Sequence, residues 1–279
     1  MDIKTIAVLI DTSPSRETRM DYAIHLARRH GAHLIGIFLL PPDIAGSPAS
    51  SHVRGQTAIA DLLHYQQVRK NDMIRQARDV FERHAARQDV HCEFRVHTPR
   101  GEDERRIGAL HADLVVAAPP KASWVDDGPP ADVVQLTTGV PFLLVPETWH
   151  NMEPPQRILI GWNGSRESRR AIGDALPLLA LASSVTVLIV DPQASLPAGE
   201  EPGMEVAMFL LRHGVRLTVD PVQSHGRAIP EVILEYAVSN DHDLIVLGAY
   251  SHARAREIML GGVTRSLLRQ SPVPLLISH

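Results

Sequence analysis

The sequence contains a single cysteine, Cys92, and only three lysines, Lys4, Lys70 and Lys121. One cysteine excludes an intrachain disulfide and argues against a cysteine-ligated metal. Beside His91, in a weakly alternating segment, Cys92 reads as a packing residue rather than a nucleophile. With no lysine beyond position 121, a lysine-dependent phosphotransfer site has no place in the second half, and no glycine-rich loop of the P-loop type occurs. Positive charge is not in excess: 28 Lys and Arg against 32 Asp and Glu leave −4, which gives no electrostatic ground for nucleic-acid binding. No apolar run reaches the roughly 20 residues that span a bilayer. The N-terminal run is ended by Asp11 before it is long enough for a signal peptide. The fifteen histidines are scattered, with no His-Glu-x-x-His pair, and no Gly-x-Ser-x-Gly elbow is present. The expectation is a soluble, cytoplasmic chain with neither nucleic acid nor membrane as partner.

A length of 279 residues with 44% apolar content suits one large or two medium globular domains. Short apolar runs alternate with helical spacing. Ile6–Ile10 predicts a strand, Arg16–Arg29 a helix stopped by Gly31, and Leu34–Leu40 a second strand stopped by Pro41-Pro42. After a Pro/Gly/Ser-rich loop, Thr57–Arg87 predicts a long polar helix and Val90–His97 a strand. Helices at Asp103–Leu110 and Ala131–Thr137 and strands at Leu114–Ala118 and Phe142–Val145 complete the half. Pro146–Gln156 reads as a linker, and then the order restarts. Ile158-Leu159-Ile160-Gly161-Trp162-Asn163-Gly164-Ser165 answers Ala7-Val8-Leu9-Ile10-Asp11-Thr12-Ser13 in kind, Ser165-Arg166-Glu167-Ser168 answers Ser15-Arg16-Glu17-Thr18, and Asp243-Leu244-Ile245-Val246 answers Asp113-Leu114-Val115-Val116. The second copy is shorter because its helix after the second strand is reduced to about Leu196–His213. Such alternation implies a parallel sheet covered by helices on both faces, and the internal repeat implies two such domains, 1–148 and 155–279, about a pseudo-two-fold axis. The last strand of each copy is short, apolar and proline-flanked. An apolar edge needs covering, so Phe142–Val145 and Leu275–Ile277 are expected to meet.

The most informative stretch is Leu244-Ile245-Val246-Leu247-Gly248, a buried strand, followed by a basic loop and then Gly261-Gly262 ahead of a helix from Thr264 to Gln270. Backbone N–H groups, a helix N-terminus and cationic side chains converging on one point make an anion site, usually for phosphate. The loop is cationic through His252, Arg254, Arg256 and Arg265, against one acid, Glu257. Gly248, two residues, Ser251, nine residues, Gly261-Gly262 resembles the phosphate motif of the universal stress protein family. Ser251 stands at the motif's second glycine and Gly262 at its hydroxyl position, while Thr264 offers a hydroxyl two residues on. The resemblance covers nearly the whole chain, as a tandem pair. It implies an α/β fold of two doubly wound, five-stranded, Rossmann-like (HUP) sheets of order 3-2-1-4-5 joined as an intramolecular pseudo-dimer. A ligand would lie at the carboxyl ends of strands one and four, in keeping with the switch-point rule.

It further implies ATP with Mg²⁺, in the second domain only. Gly248, Ser251, His252, Gly261, Gly262, Val263 and Thr264 would surround the phosphates, Asn163 would take the place of the family's acidic residue, and Ile189 at the end of the second strand would meet the base. The rival reading of Asn163-Gly164-Ser165 is a plain turn and helix cap. In the first half Asp11 keeps the acidic residue, but Ala118-Pro119-Pro120 removes N–H donors where the glycine-rich start belongs, and Trp124, Asp126 and Asp127 oppose phosphate. That domain is expected to be structural, and Gly128-Pro129-Pro130 does not restore the motif. Turnover is expected to be slow or absent, with His252 and Asp241 as the residues a weak ATPase would draw on. The alternative to nucleotide binding is a protein-interaction scaffold using loop Pro41–Ser51 and helix Thr57–Arg87, with the chain a monomeric pseudo-dimer or a further homodimer.

Overall fold

A computed structural model describes residues 2–41, 56–98, 111–120, 139–192, 201–249 and 262–278, the side chains of 56–59 and 62 excepted. The helices expected at Asp103–Leu110 and Ala131–Thr137, the proline-rich loop, the 121–130 segment and the 250–261 loop, with Ser251, His252 and Gly261, lie outside the described residues.

The first half runs β1 (Thr5–Ile10), α1 (Arg16–His30), β2 (His33–Leu39), α2 (Gln56–Arg87), β3 (Cys92–His97), β4 (Leu114–Ala117) and β5 (Phe142–Leu144). The second runs β6 (Arg157–Gly161), α3 (Arg166–Leu179), β7 (Ser184–Val190), α4 (Met204–Arg212), β8 (Leu217–Val222), α5 (Ile229–Ser239), β9 (Leu244–Gly248), α6 (Gly262–Gln270) and β10 (Leu275–Ser278). Central strands such as β1 and β9 are buried on both faces, which is why they read as unbroken apolar runs rather than alternations. Gly31 ends α1 in the left-handed region at φ 59 and its N–H bonds back to the last turn, the usual helix stop.

All ten strands form one sheet, in the order β3-β2-β1-β4-β5-β10-β9-β6-β7-β8. Each half therefore has the order 3-2-1-4-5, and within a half every strand pair is parallel. The halves join through β5 and β10, which pair antiparallel with Leu144 opposite Leu275, Leu143 opposite Leu276 and Phe142 opposite Ile277. The two proline-flanked apolar edges thus cover each other, as the sequence led us to expect. The connecting segment is fastened to α1, where His25 Nδ1 lies 2.8 Å from the Met152 carbonyl, and Trp149 packs against the cores on both faces.

The repeat is also a repeat of hydrogen bonds. Ahead of β4, Asp113 accepts from the backbone N–H groups of Lys4 (2.8 Å) and Thr5 (2.9 Å). Ahead of β9, Asp243 accepts from Gln156 (2.8 Å) and Arg157 (2.9 Å). Each carboxylate pins the start of its half's first strand and so sets its register against the fourth. This is the physical reason that Asp-Leu-x-Val occurs twice.

Beside Asp243, His242 is buried between α5 and β7, with Nε2 3.2 Å from Thr186 Oγ1. Neighbouring Tyr236 donates to Asp220 at 2.6 Å, and burial, then Asp220, push its hydroxyl up to about 12. Burial holds His242 below its ordinary value, and the same is true of His30. The native state therefore favours the neutral rings. Their contribution to stability is complete above the unfolded value of about 6.5 and is lost as pH falls from there through the lowered folded values. Urea unfolding at pH 7.5 and 5.5 should show a stability loss with a limiting slope of about 1.4 kcal/mol per pH unit for each proton taken up. His242→Gln should flatten that difference; an unchanged pH dependence would dismiss His242 as a contributor.

Candidate functional site

In a sheet of this order the crevice lies at the carboxyl ends of the first and fourth strands, here β6 and β9. Past β6, Asn163 is exposed and its Oδ1 accepts from Ser165 N at 3.1 Å, across Gly164 at φ 70. Ser165 Oγ in turn accepts from Ser168 N at 3.1 Å as the N-cap of α3. The turn-and-cap reading thus describes the oxygen of Asn163, while its Nδ2 has no partner among the described residues. The N-terminus of α3 also carries its own anion. Glu167 is buried, and its carboxyl is held below the usual range first by its own backbone N–H and then by Arg166.

The other helix at the crevice is different. α6 begins at Gly262, runs back along the sheet between the parallel strands β9 and β10, and has no acidic residue in its first turn. Gly262 is exposed, and a Cβ built on it would meet nothing within 4 Å. Val263 is half-buried and Thr264 buried. The first N–H groups of a helix lack intrahelical partners, and its dipole is positive there. The N-terminus of α6 therefore presents positive potential with no resident carboxylate in its first turn to neutralise it.

Gly248 also makes a close approach that the motif does not announce. A Cβ there would lie 2.4 Å from the Glu167 carbonyl carbon and the Ser168 nitrogen. The end of β9 is in contact with the backbone of α3, and the missing side chain lets helix and strand approach. Gly248 thus positions the α3 N-terminus and the Asn163 turn. Ile189 is likewise buried, with its Cδ1 2.8 Å from where a Cβ on Gly203 would sit, so its side chain packs under the start of α4. Asp241 is excluded from any role at the crevice. It precedes β9 and lies 3.9 Å from Arg157 at the start of β6, so β9, five residues or roughly 16 Å long, separates it from Gly248. The order of the chain already implied this, because Asp241 precedes the strand whose carboxyl end faces the crevice.

The first half has the same turn with different contents. Asp11 Oδ1 accepts from Ser13 N at 3.0 Å, matching Asn163 and Ser165. It also accepts from Ser13 Oγ (2.6 Å) and from Arg19 Nη2 (2.5 Å), and Arg19 further donates to Ser15 Oγ (2.7 Å) and Ser13 Oγ (2.9 Å). Arg19 is 0% exposed. Burial depresses its pKa, against the opposing pull of Asp11. Asp11 is thus neutralised from inside the protein by a cation four positions into α1. The only sequence signal was an arginine on a helix at Asp11+8. Its counterpart, Arg169, instead lies 4.1 Å over the ring of Phe209. Ala118-Pro119-Pro120 follows β4, and neither proline offers an N–H.

Comparison with known proteins agrees with this architecture. A family model described as the universal stress protein family matches twice, over residues 2–146 and 155–279. Universal stress protein Slr1230 of Synechocystis sp. is 26% identical over 143 residues, 49% of this chain and 46% of the relative, so the chain spans about half of that relative's length. A crystal structure of a universal stress protein from Archaeoglobus fulgidus superposes with TM-score 0.65 at 13% identity, covering 98% of this chain and 95% of that one. A putative universal stress protein from Pseudomonas aeruginosa gives TM-score 0.56 at 15% identity, covering 99% and 93%. At such identities the two structures speak for the fold alone. No described helix is long and apolar enough to cross a membrane.

Proposed function

The chain belongs to the universal stress protein family and carries the family unit twice, and from that premise we infer that it is a stress-response regulatory module binding one ATP-type nucleotide, with Mg²⁺, in its second domain. The observation that carries the reading is the N-terminus of α6, which begins on an exposed glycine and has no acid in its first turn. Gly262, Val263 and Thr264, with Gly261, Ser251 and His252 of the preceding loop, would receive the phosphates. Asn163 would offer its amide to the ribose or base, and the end of β7 at Ile189 would flank the base. Gly248 serves the site indirectly, by seating α3. The first domain is structural in this reading, because Arg19 already answers the charge of Asp11.

Hydrolysis requires a group that orients or deprotonates water as well as phosphate contacts. Asp241 lies at the wrong end of β9, which leaves His252 as the residue a weak ATPase would draw on, so the module is read as a binder with slow turnover at most. A second reading, a nucleotide-independent interaction scaffold, is favoured by the first half of α2, where Leu63, Tyr65 and Val68 are exposed.

The test uses purified chain, first analysed for nucleotide released on denaturation, then stripped and titrated with ATP and Mg²⁺ by calorimetry at several temperatures. One site per chain is expected. Gly262→Asp separates site from fold. A Cβ there meets none of the described residues within 4 Å, and an acid in the first turn of a helix stabilises by about 0.3–1 kcal/mol. The same carboxylate would repel phosphate, so affinity should fall at least about tenfold while the melting temperature is kept or raised. Wild-type protein with no co-purified nucleotide and no binding heat would overturn the reading in favour of the scaffold. Undiminished affinity in Gly262→Asp would move the site elsewhere.

A further inference from the structure

Exposed large apolar side chains occur on several helices, but among the described residues only α4 lines up three of them. On α2, Leu63 and Tyr65 point about 160° apart, and on α5 Ile229 and Val238 are on opposite sides, at about 100° per residue. On α4, Met204, Met208 and Leu211 are 51%, 43% and 55% exposed and fall within an arc of about 60°. The opposite side of the same helix is already used, with Val206 and Leu210 buried in the core. Thus α4 is apolar both inward and outward. The fold does not require this. The second half of α2, the corresponding helix of the first domain, also buries one face, with Ala77, Phe81 and Ala85, but turns Arg75, Arg78, Asp79, Glu82 and Arg83 to solvent.

Charge indicates what covers the stripe. Glu205 and Arg212 flank it on one side, seven residues apart, both exposed, and neither forms an ion pair among the described residues. When two copies of such a helix pack antiparallel about a two-fold axis, the same flanks face each other with their order reversed. Placing Met208 on the axis brings Met204 to within one residue's rise, about 1.5 Å, of Leu211 of the second copy and Glu205 equally close in height to its Arg212, and each contact occurs twice. This register shares the offset equally between the apolar pair and the charged pair.

We propose that the outer face of α4 is a self-association surface, by which two copies of this chain pair antiparallel around Met208. The pairing is separate from the β5–β10 join, which lies inside one chain, and it does not depend on nucleotide binding. A nine-residue helix is about 13 Å long and supplies less than the roughly 800 Å² per partner of a stable interface. The pairing is therefore weak and reversible, with a dissociation constant on the order of 100 μM.

The experiment is sedimentation of the full chain from about 5 μM to about 500 μM, with circular dichroism and melting as controls of the fold. Wild-type protein should pass from monomer towards dimer over that range. Met208→Glu brings two carboxylates together on the axis and should leave a monomer throughout. Glu205→Arg and Arg212→Glu alone should each weaken association about tenfold at low salt. The double variant Glu205→Arg/Arg212→Glu should restore it, because the charges are exchanged on both copies. A wild-type monomer at every concentration would overturn the proposal. A dimer indifferent to Met208→Glu, or a double reversal that fails to rescue, would overturn it equally.

Discussion

Gly248→Ala should unfold the chain's second half more readily than any other single methyl added to the crevice. The new Cβ would sit 2.4 Å from two backbone atoms of α3 and 2.7 Å from the Glu167 carbonyl oxygen. A flexible side chain could turn away, but a helix backbone can only shift as a body, carrying Glu167, Ser168 and the buried Ala171 and Ile172 with it. Overpacking of this kind costs about 3 kcal/mol or more, which at this chain length is a fall of about 6 °C or more in melting temperature. Gly262→Ala provides the contrast. Its methyl meets nothing within 4 Å, and a helix gains up to about 1 kcal/mol when alanine replaces glycine. Thermal denaturation of both variants checks the pair. Equal stability of the two would mean that the β9–α3 approach is looser than the geometry described above.

Asp11→Ala is expected to destabilise by about 3–5 kcal/mol, because it strands a buried cation. Arg19 is 0% exposed and, among the described residues, would keep the hydroxyls of Ser13 and Ser15 as hydrogen-bond partners, with the charge of Glu147 as the remaining opposite charge. The reverse deletion is milder. In Arg19→Met the carboxylate left behind is already 32% exposed and keeps its bonds to Ser13, while the new side chain fills the buried volume with apolar atoms. The double variant Asp11→Ala/Arg19→Met should recover most of the loss, as replacement of a whole buried pair often does. Chemical denaturation of the three proteins, arranged as a double-mutant cycle, measures the coupling. A loss below about 1 kcal/mol for Asp11→Ala would show that water reaches Arg19. Neither single variant is expected to create a nucleotide site, because Pro119 and Pro120 still withhold their donors.

Gly248 and Gly262 belong to the same motif, yet they act through different forces. One removes a clash between a strand and a helix, and the other leaves a helix end accessible. The family resemblance treats them as a unit because they fall at set spacing. That spacing does not record that a side chain is barred at Gly248 and admitted at Gly262.

Much of the architecture could be read from the chain alone. Strands such as Ile6–Ile10 and Leu244–Leu247 are buried on both faces, and such strands have few ways to be written other than as apolar runs. The repeat was legible because each half solves the same problem with the same residues, down to Asp113 and Asp243. The meeting of β5 and β10 followed from edges that could not stay bare. Three matters were decided only by tertiary structure. Arg19 reads as an ordinary surface residue of α1 until the fold brings Asp11, Ser13 and Ser15 around it. The neighbour of Gly248 is a backbone segment some 80 positions earlier, and no local pattern encodes so distant a contact. The outward face of α4 could not be told from its inward face, because both are apolar and periodicity reports only that a face exists. Local spacing fixes what a segment becomes, through hydrogen bonding and burial along the chain. Which side chains are left bare, crowded or charged is fixed by the partners that folding brings from elsewhere.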